Sequence, residues 1–147
     1  VTERRRTLGA LLRLPYEALQ REVYGGLAAR GFPEIRPAHS AVFRHIGPDG
    51  ARLTALAERA GMTKQSMAYL VDGLEEAGHL RSAPDPNDGR ARIVRLTVRG
   101  ERVLDALLDL SAEAEARVAD RIGKRRAAKL RKALEEWVDA ITVASPR

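Results

Sequence analysis

Two amphipathic segments, Leu53–Ala60 and Thr63–Ala77, are separated only by Gly61 and Met62, and this joint restricts the fold more than any other feature. Thr63 is placed to cap the second segment, because its hydroxyl can accept a bond from an otherwise unpaired first-turn N–H. Met67, Leu70, Val71 and Leu74 follow at helical spacing and form one apolar face, which reads as core. Lys64, Gln65, Ser66, Ala68, Tyr69 and Asp72 are left on other faces. An indifferent solvated surface would carry Glu and Lys there, so the Gln, Ser and Tyr call for another reason.

Gly78 ends that helix. HLRSA then reads as a short strand, PDPNDG as a polar turn, and RARIVRL as a second strand. In the second strand Arg90, Arg92, Val94 and Leu96 share one face, and Ala91, Ile93 and Arg95 the other. This is the pattern of a two-stranded ribbon whose base is covered and whose tip is too polar for burial.

Upstream, Leu8, Leu11, Leu12, Tyr16, Leu19, Val23 and Leu27 keep a helical period up to Gly31. Pro15 either kinks this helix or opens its second part. A short helix from about Pro37 to Ile46 is expected to turn Ala38, Val42, Phe43 and Ile46 inward, and GPDG closes it. Downstream, Thr97 resembles another N-cap. It precedes a helix of roughly 25 residues, nearly 40 Å long at 1.5 Å per residue, and a last helix runs from about Lys124 to Ile141. Leu104, Leu107, Leu108, Val118, Ile122, Leu134, Trp137 and Ile141 offer more apolar surface than one small domain needs, which implies a partner.

The chain has 147 residues, the size of one ordinary domain, and a net charge of +6. The surplus is spread along the chain and suits a polyanionic partner or an anionic membrane surface. The absence of Cys excludes disulfide scaffolds, thiolate nucleophiles and Cys-ligated metals. His39, His45 and His79 do not form a metal-ligand pattern, so neither metal nor cofactor is expected. Uncharged stretches fall short of the roughly 18 apolar residues that a membrane span needs. Arg13, Pro15 and Glu17 interrupt any signal-peptide core, so the start reads as mature, cytoplasmic protein. An enzyme is not expected: the acidic pairs lie on amphipathic helices, Gly25–Gly26 lacks the setting of a phosphate loop, and no nucleophile has a base.

Helix, tight turn, helix and Arg-bearing hairpin is the order of a winged helix-turn-helix. Its second helix fits the major groove, where base pairs show distinct donor and acceptor patterns. In a DNA-binding set that also includes Thr63 and Tyr69, Gln65 and Ser66 are positioned for base edges, Lys64 with the helix N-terminus for phosphate, and Arg90 with Arg92 behind it for the minor groove or backbone. From Leu53 to Gly100 the chain resembles the MarR family of bacterial transcriptional regulators, and the flanking helices extend the likeness across most of residues 8–142. The most diagnostic part is D-x-R, a strand, then LT-x-x-G: Asp88, Arg90, Leu96, Thr97 and Gly100. The resemblance implies that Arg90 enters the minor groove and that Asp88 holds the wing's arginines in position. Tyr69 stands where many members carry Arg, and Gly73 where a basic residue is common, so positive charge is missing from the recognition segment. Tyr69 is suited to stacking on sugar or touching a thymine methyl; the other reading is a partly buried aromatic.

The expected architecture is mainly α, of α+β type. Residues 1–36 and 98–147 supply helices of a dimerisation domain, and 37–97 the winged helix-turn-helix. The expected function is a homodimeric, ligand-responsive repressor of double-stranded DNA that reads an inverted-repeat operator; the alternative is a winged-helix protein-interaction module. The resemblance also implies that a small aromatic or anionic effector binds between dimerisation helices and winged domain. Arg13, Tyr16, His39 and Phe43 combine the cation, rings and polar groups for it; the alternative is that Tyr16 and Phe43 are core and Arg13 and His39 ordinary surface groups. Without Cys, control by thiol oxidation is excluded.

Overall fold

Thr7 opens helix α1 (Leu8–Gly26) by accepting the Ala10 N–H on its hydroxyl at 3.3 Å. The computed structural model describes residues 5–144, so the outermost residues of the segments 1–36 and 98–147 lie outside the description. α1 runs through Pro15 without a break and ends five residues short of Gly31; a 3-10 turn, Ala28–Arg30, fills the difference. Its cover is confined to the C-terminal end. Val23 and, just beyond, Leu27 are buried, whereas Leu8, Leu11, Leu14 and Tyr16 are exposed.

The segment expected to form one helix from Pro37 to Ile46 is a 3-10 turn, Pro37–His39, followed by the short α2 (Ser40–Phe43). The tighter turn has a cause in His39, whose buried ring accepts the Arg36 N–H on Nδ1 at 3.0 Å. Val42, Phe43 and Ile46 point inward as expected, but the change of pitch leaves Ala38 exposed.

After a turn closed by Gly50 N–H to Gly47 O, β1 (Ala51–Arg52) leads into α3 (Leu53–Ala60). Gly61 takes the left-handed conformation at φ 63°, and the Met62 N–H returns to Ala57 O at 2.9 Å. These are the bonds that stop a helix within one residue, and Gly is the residue that adopts that φ without steric cost. Helix α4 (Lys64–Glu76) then starts under the Thr63 cap and buries Met67, Leu70, Val71 and Leu74.

The ribbon is β2 (Leu80–Asp85) and β3 (Asp88–Leu96), antiparallel, with Leu80 opposite Leu96 and Pro84 opposite Arg92. A third strand joins it: β1 pairs with β3 through Ala51 opposite Val94 and Arg52 opposite Ile93, which makes β3 the central strand. Leu27, Val42, Ile46, Leu56, Met67, Val71, Leu74, Val94 and Val103 are fully or almost fully buried and form the centre of the core. Truncating one of the larger ones, such as Leu56→Ala, is expected to cost about 2–5 kcal/mol.

Thr97 caps α5 (Val98–Ile122) as expected, its Oγ1 accepting the Gly100 N–H at 3.1 Å and donating to Gly78 O at 2.6 Å. Gly100 is required by a close approach, since a Cβ there would lie 2.1 Å from the His79 carbonyl oxygen. Beside this joint, Glu34 Oε1 meets both His79 Nε2 at 2.6 Å and Arg99 Nη2 at 2.8 Å. Phe32 packs its ring edgewise on the His79 imidazole, with centroids 6.0 Å apart. The cluster ties the loop after α1 to the end of α4 and the start of α5.

The chain divides into two compact units, one ending at Leu110 and the next beginning at Ser111, inside α5. Helix α1 thus falls in the same unit as the winged segment. In the second unit Arg131 pairs with Glu115 at 2.5 Å and Glu135 at 2.9 Å, linking α6 (Lys124–Val143) to the end of α5. Leu130, Trp137, Val138 and Ile141 of α6 remain exposed.

Candidate functional site

The first turn of α4 is built outward from its cap. Thr63 Oγ1 accepts the Ser66 N–H at 3.1 Å and donates to Ser66 Oγ at 2.9 Å, so the first turn is capped at the positive end of the helix dipole. Thr63, Lys64, Gln65 and Ser66 are all exposed, and Tyr69, one turn on, is 75% exposed. Burial of the opposite face fixes this presentation: Met67, Leu70, Val71 and Leu74 cannot leave the core without rotating the whole helix. Gly73 faces open space.

The wing is set by two carboxylates. Asp88 accepts the Arg90 N–H on Oδ1 at 3.1 Å, which fixes the backbone from which the exposed Arg90 side chain projects. The second carboxylate is not evident from sequence. Asp85, expected in a solvated turn, is buried, accepts the Asn87 N–H at 2.9 Å and pairs with Arg52 of β1. The Asn87 bond lowers its pKa most; burial opposes this, and Arg52 adds to the lowering. Arg52 was invisible as a partner because β1 itself was not expected.

Arg92 differs from the expected second wing contact. Its guanidinium turns back onto the body, with Nε donating to Ser82 Oγ at 2.7 Å and Nη2 to Asp72 Oδ1 at 2.9 Å, and with Glu75 also bound. Among the described residues, Arg90 makes no ion pair.

The four residues offered for an effector lie in different settings. Arg13 pairs with Glu17 at 2.9 Å on the exposed side of α1. Tyr16 Oη receives bonds from Gln20 and Arg44. His39 and Phe43 are buried; desolvation, aided by the charge of Arg36, lowers the His39 pKa and favours the neutral ring. An open cleft of about 500 Å³ lies elsewhere, lined by Ala38, Met62, Gln65, Ser66, Tyr69 and Leu70. Among the described residues, no group of three or more His, Asp or Glu is placed to hold a metal, and no helix is long and apolar enough to cross a membrane.

Residues 35–91 match the model of the MarR family. The chain is 35% identical over 79 residues to the transcriptional regulator HosA of Escherichia coli O111:H-, a match covering 53% of this chain and 58% of that relative. The chain therefore spans little more than half the length of the curated relatives it matches. Among solved structures, wild-type MarR from E. coli in its apo form superposes with a TM-score of 0.79 at 19% identity, covering 91% of this chain and 98% of that one. The S. aureus MepR F27L mutant bound to an oligodeoxyribonucleotide gives a TM-score of 0.63 at 16% identity over 93% and 99% of the two chains. The winged helical fold is common to this chain and the two solved structures.

Proposed function

We propose that the chain is a transcriptional regulator of the MarR family that binds double-stranded DNA as a homodimer and represses transcription, a reading supported by the match of residues 35–91 to that family's model and by the likeness to HosA. The observation that carries this reading is the uncovered Thr63–Ser66 turn with Tyr69, set in the same unit as a wing whose Arg90 is exposed and whose backbone Asp88 holds. α4 enters the major groove. Gln65, Ser66 and Tyr69 meet base edges, Thr63, Lys64 and the helix N-terminus meet phosphate, and Arg90 takes the minor groove. MepR bound to an oligodeoxyribonucleotide supports DNA as the partner class.

Dimerisation is supported by apolar side chains left exposed on α1, α5 and α6: Leu8, Leu11, Leu108, Leu130, Trp137 and Ile141. On this reading the segments 1–36 and 98–147 supply the dimer contacts and the segment 37–97 carries the winged helix-turn-helix. A two-fold dimer reads an inverted repeat with half-sites about 34–36 Å apart on one side of the duplex. The protein acts in the cytoplasm, where its operator lies, and a small aromatic or anionic effector shifts the spacing of the two α4 helices. Arg13 and Tyr16 remain accessible for such a molecule, whereas His39 and Phe43 require the core around them to open.

Selection from a random duplex library with the full chain tests the reading. Enrichment of an inverted repeat, with affinity that falls steeply with salt, is expected. Failure to enrich any palindrome, with salt-independent affinity, overturns it in favour of a protein-interaction module. Thermal-shift screening with phenolic carboxylates, followed by DNA titration, tests the effector; a molecule that stabilises the protein without changing DNA affinity is not an inducer.

A further inference from the structure

We propose that Arg92 is a positioning residue that latches the wing onto α4, so that Arg90 and the first turn of α4 meet DNA as one body; this rests on the DNA-binding reading above. Three elements converge on a single guanidinium. Arg92 belongs to the central strand β3, Ser82 to the neighbouring β2, and Asp72 and Glu75 lie one turn apart on the same side of α4. A planar fork with several fixed donors can serve all three at once, which a lysine ammonium cannot do in the same geometry.

The latch sits where the ladder stops supporting the wing. Arg92 opposite Pro84 is the last regular pair before the register shifts between Pro84 and Asp85, and beyond it only Asp85 opposite Asp88 remains. Pro84 also has no N–H to give to the ladder. Without another tie, the tip carrying Arg90 would be anchored only through strands that have begun to part. Arg92 supplies that tie two residues from Arg90, on the same face of β3. Its side chain is 31% exposed and that of Glu75 25%, so the contact is more shielded than an ordinary surface pair. Burial opposes the charge on Arg92, but Asp72 and Glu75 more than offset it and raise its pKa. The DGRAR sequence of the wing therefore divides two alike residues between two tasks: Arg90 faces outward, and Arg92 aligns the strand that carries it.

The test uses the full chain and a duplex selected by the unaltered protein from a random library, with affinity read by fluorescence anisotropy and wing protection by amide hydrogen exchange over residues 88–92. Arg92→Glu, Glu75→Arg and the double substitution form a cycle. The latch predicts that Arg92→Glu weakens binding about tenfold or more in the unaltered background and less than about threefold in the Glu75→Arg background, where the ion pair is re-formed with reversed sign. Wing exchange should quicken in Arg92→Glu and return toward the original rate in the double variant. An equal penalty in both backgrounds overturns the latch and makes Arg92 a direct DNA contact. If the unaltered protein selects no duplex, the DNA-binding reading fails, and the exchange arm decides the latch alone: wing exchange unmoved by Arg92→Glu overturns it.

Discussion

Replacing Glu34 by Gln should remove a stabilisation that depends on acid pH in a defined way. Burial acts to raise the pKa of this carboxyl, but the Arg99 guanidinium, a backbone bond and the His79 ring more than offset it and hold it near 2, against an ordinary 4.5. At 1.36 kcal/mol per unit such a shift is worth about 3 kcal/mol. A third of the side chain faces solvent, at 32% exposure, which screens the charges and reduces the figure to about 2 kcal/mol. Because the folded pKa lies below the unfolded one, the stabilisation is fully present above about pH 4.5 and is lost as pH falls toward 2. Gln keeps an acceptor for His79 Nε2 but has no charge to titrate. Urea unfolding at fixed protein concentration should therefore place Glu34→Gln about 2 kcal/mol below the unaltered chain at pH 7, with the gap under about 1 kcal/mol at pH 3. A gap that stays constant between those pH values would show that the carboxylate charge is not what holds the joint, and would refute the reasoning.

Three further outcomes are expected. Gly100→Ala should destabilise the chain by about 3 kcal/mol or more, measured by the same unfolding, because its Cβ would meet the His79 carbonyl oxygen, a backbone atom with little room to move. Lys64→Ala should weaken DNA binding about equally across sequences and reduce the slope of log affinity against log salt by about 1, whereas Gln65→Ala should change base preference and leave that slope in place. Trp137→Asp should shift the sedimentation coefficient from dimer toward monomer while the helical circular dichroism signal persists; an unchanged dimer would remove α6 from the interface.

How far the fold could be read depended on the range of the interactions that set it. The α3–α4 joint was legible because each of its causes is local: Gly61 at the stop, Thr63 at the start and the spacing of Met67 to Leu74. The Thr97 cap was legible for the same reason. The third strand was not, since Ala51–Arg52 is too short to show alternation and exists only through pairing with Ile93 and Val94, some forty residues away. Missing it meant missing Arg52, and with Arg52 the reason that Asp85 is buried. For Arg92 the alternation of β3 assigned the face correctly but could not tell that Asp72 and Glu75 of α4 lie beneath that face. His39 was expected beside a crevice, yet its bond to the Arg36 N–H draws it into the core, a consequence of the 3-10 turn that the helical periodicity did not reveal.

The strand order β1-β3-β2 has a consequence for how copies of this molecule can associate. A three-stranded sheet has two open edges, and each unpaired run of N–H and C=O groups is a template onto which a foreign strand can add. Here the two residues of β1 cover only Ile93 and Val94 of β3, are themselves too short to hold a guest strand in register, and leave Asp88–Arg92 of β3 as the open run on that side. The other, β2, carries the exposed Arg81 and has Pro84, which cannot donate to an added ladder. Self-association by sheet extension is thus disfavoured at β2, and among the described residues the exposed large apolar side chains lie on the helices. A helical surface of this kind allows assembly to stop at a defined number of subunits, whereas strand addition has no such limit and leads to fibres.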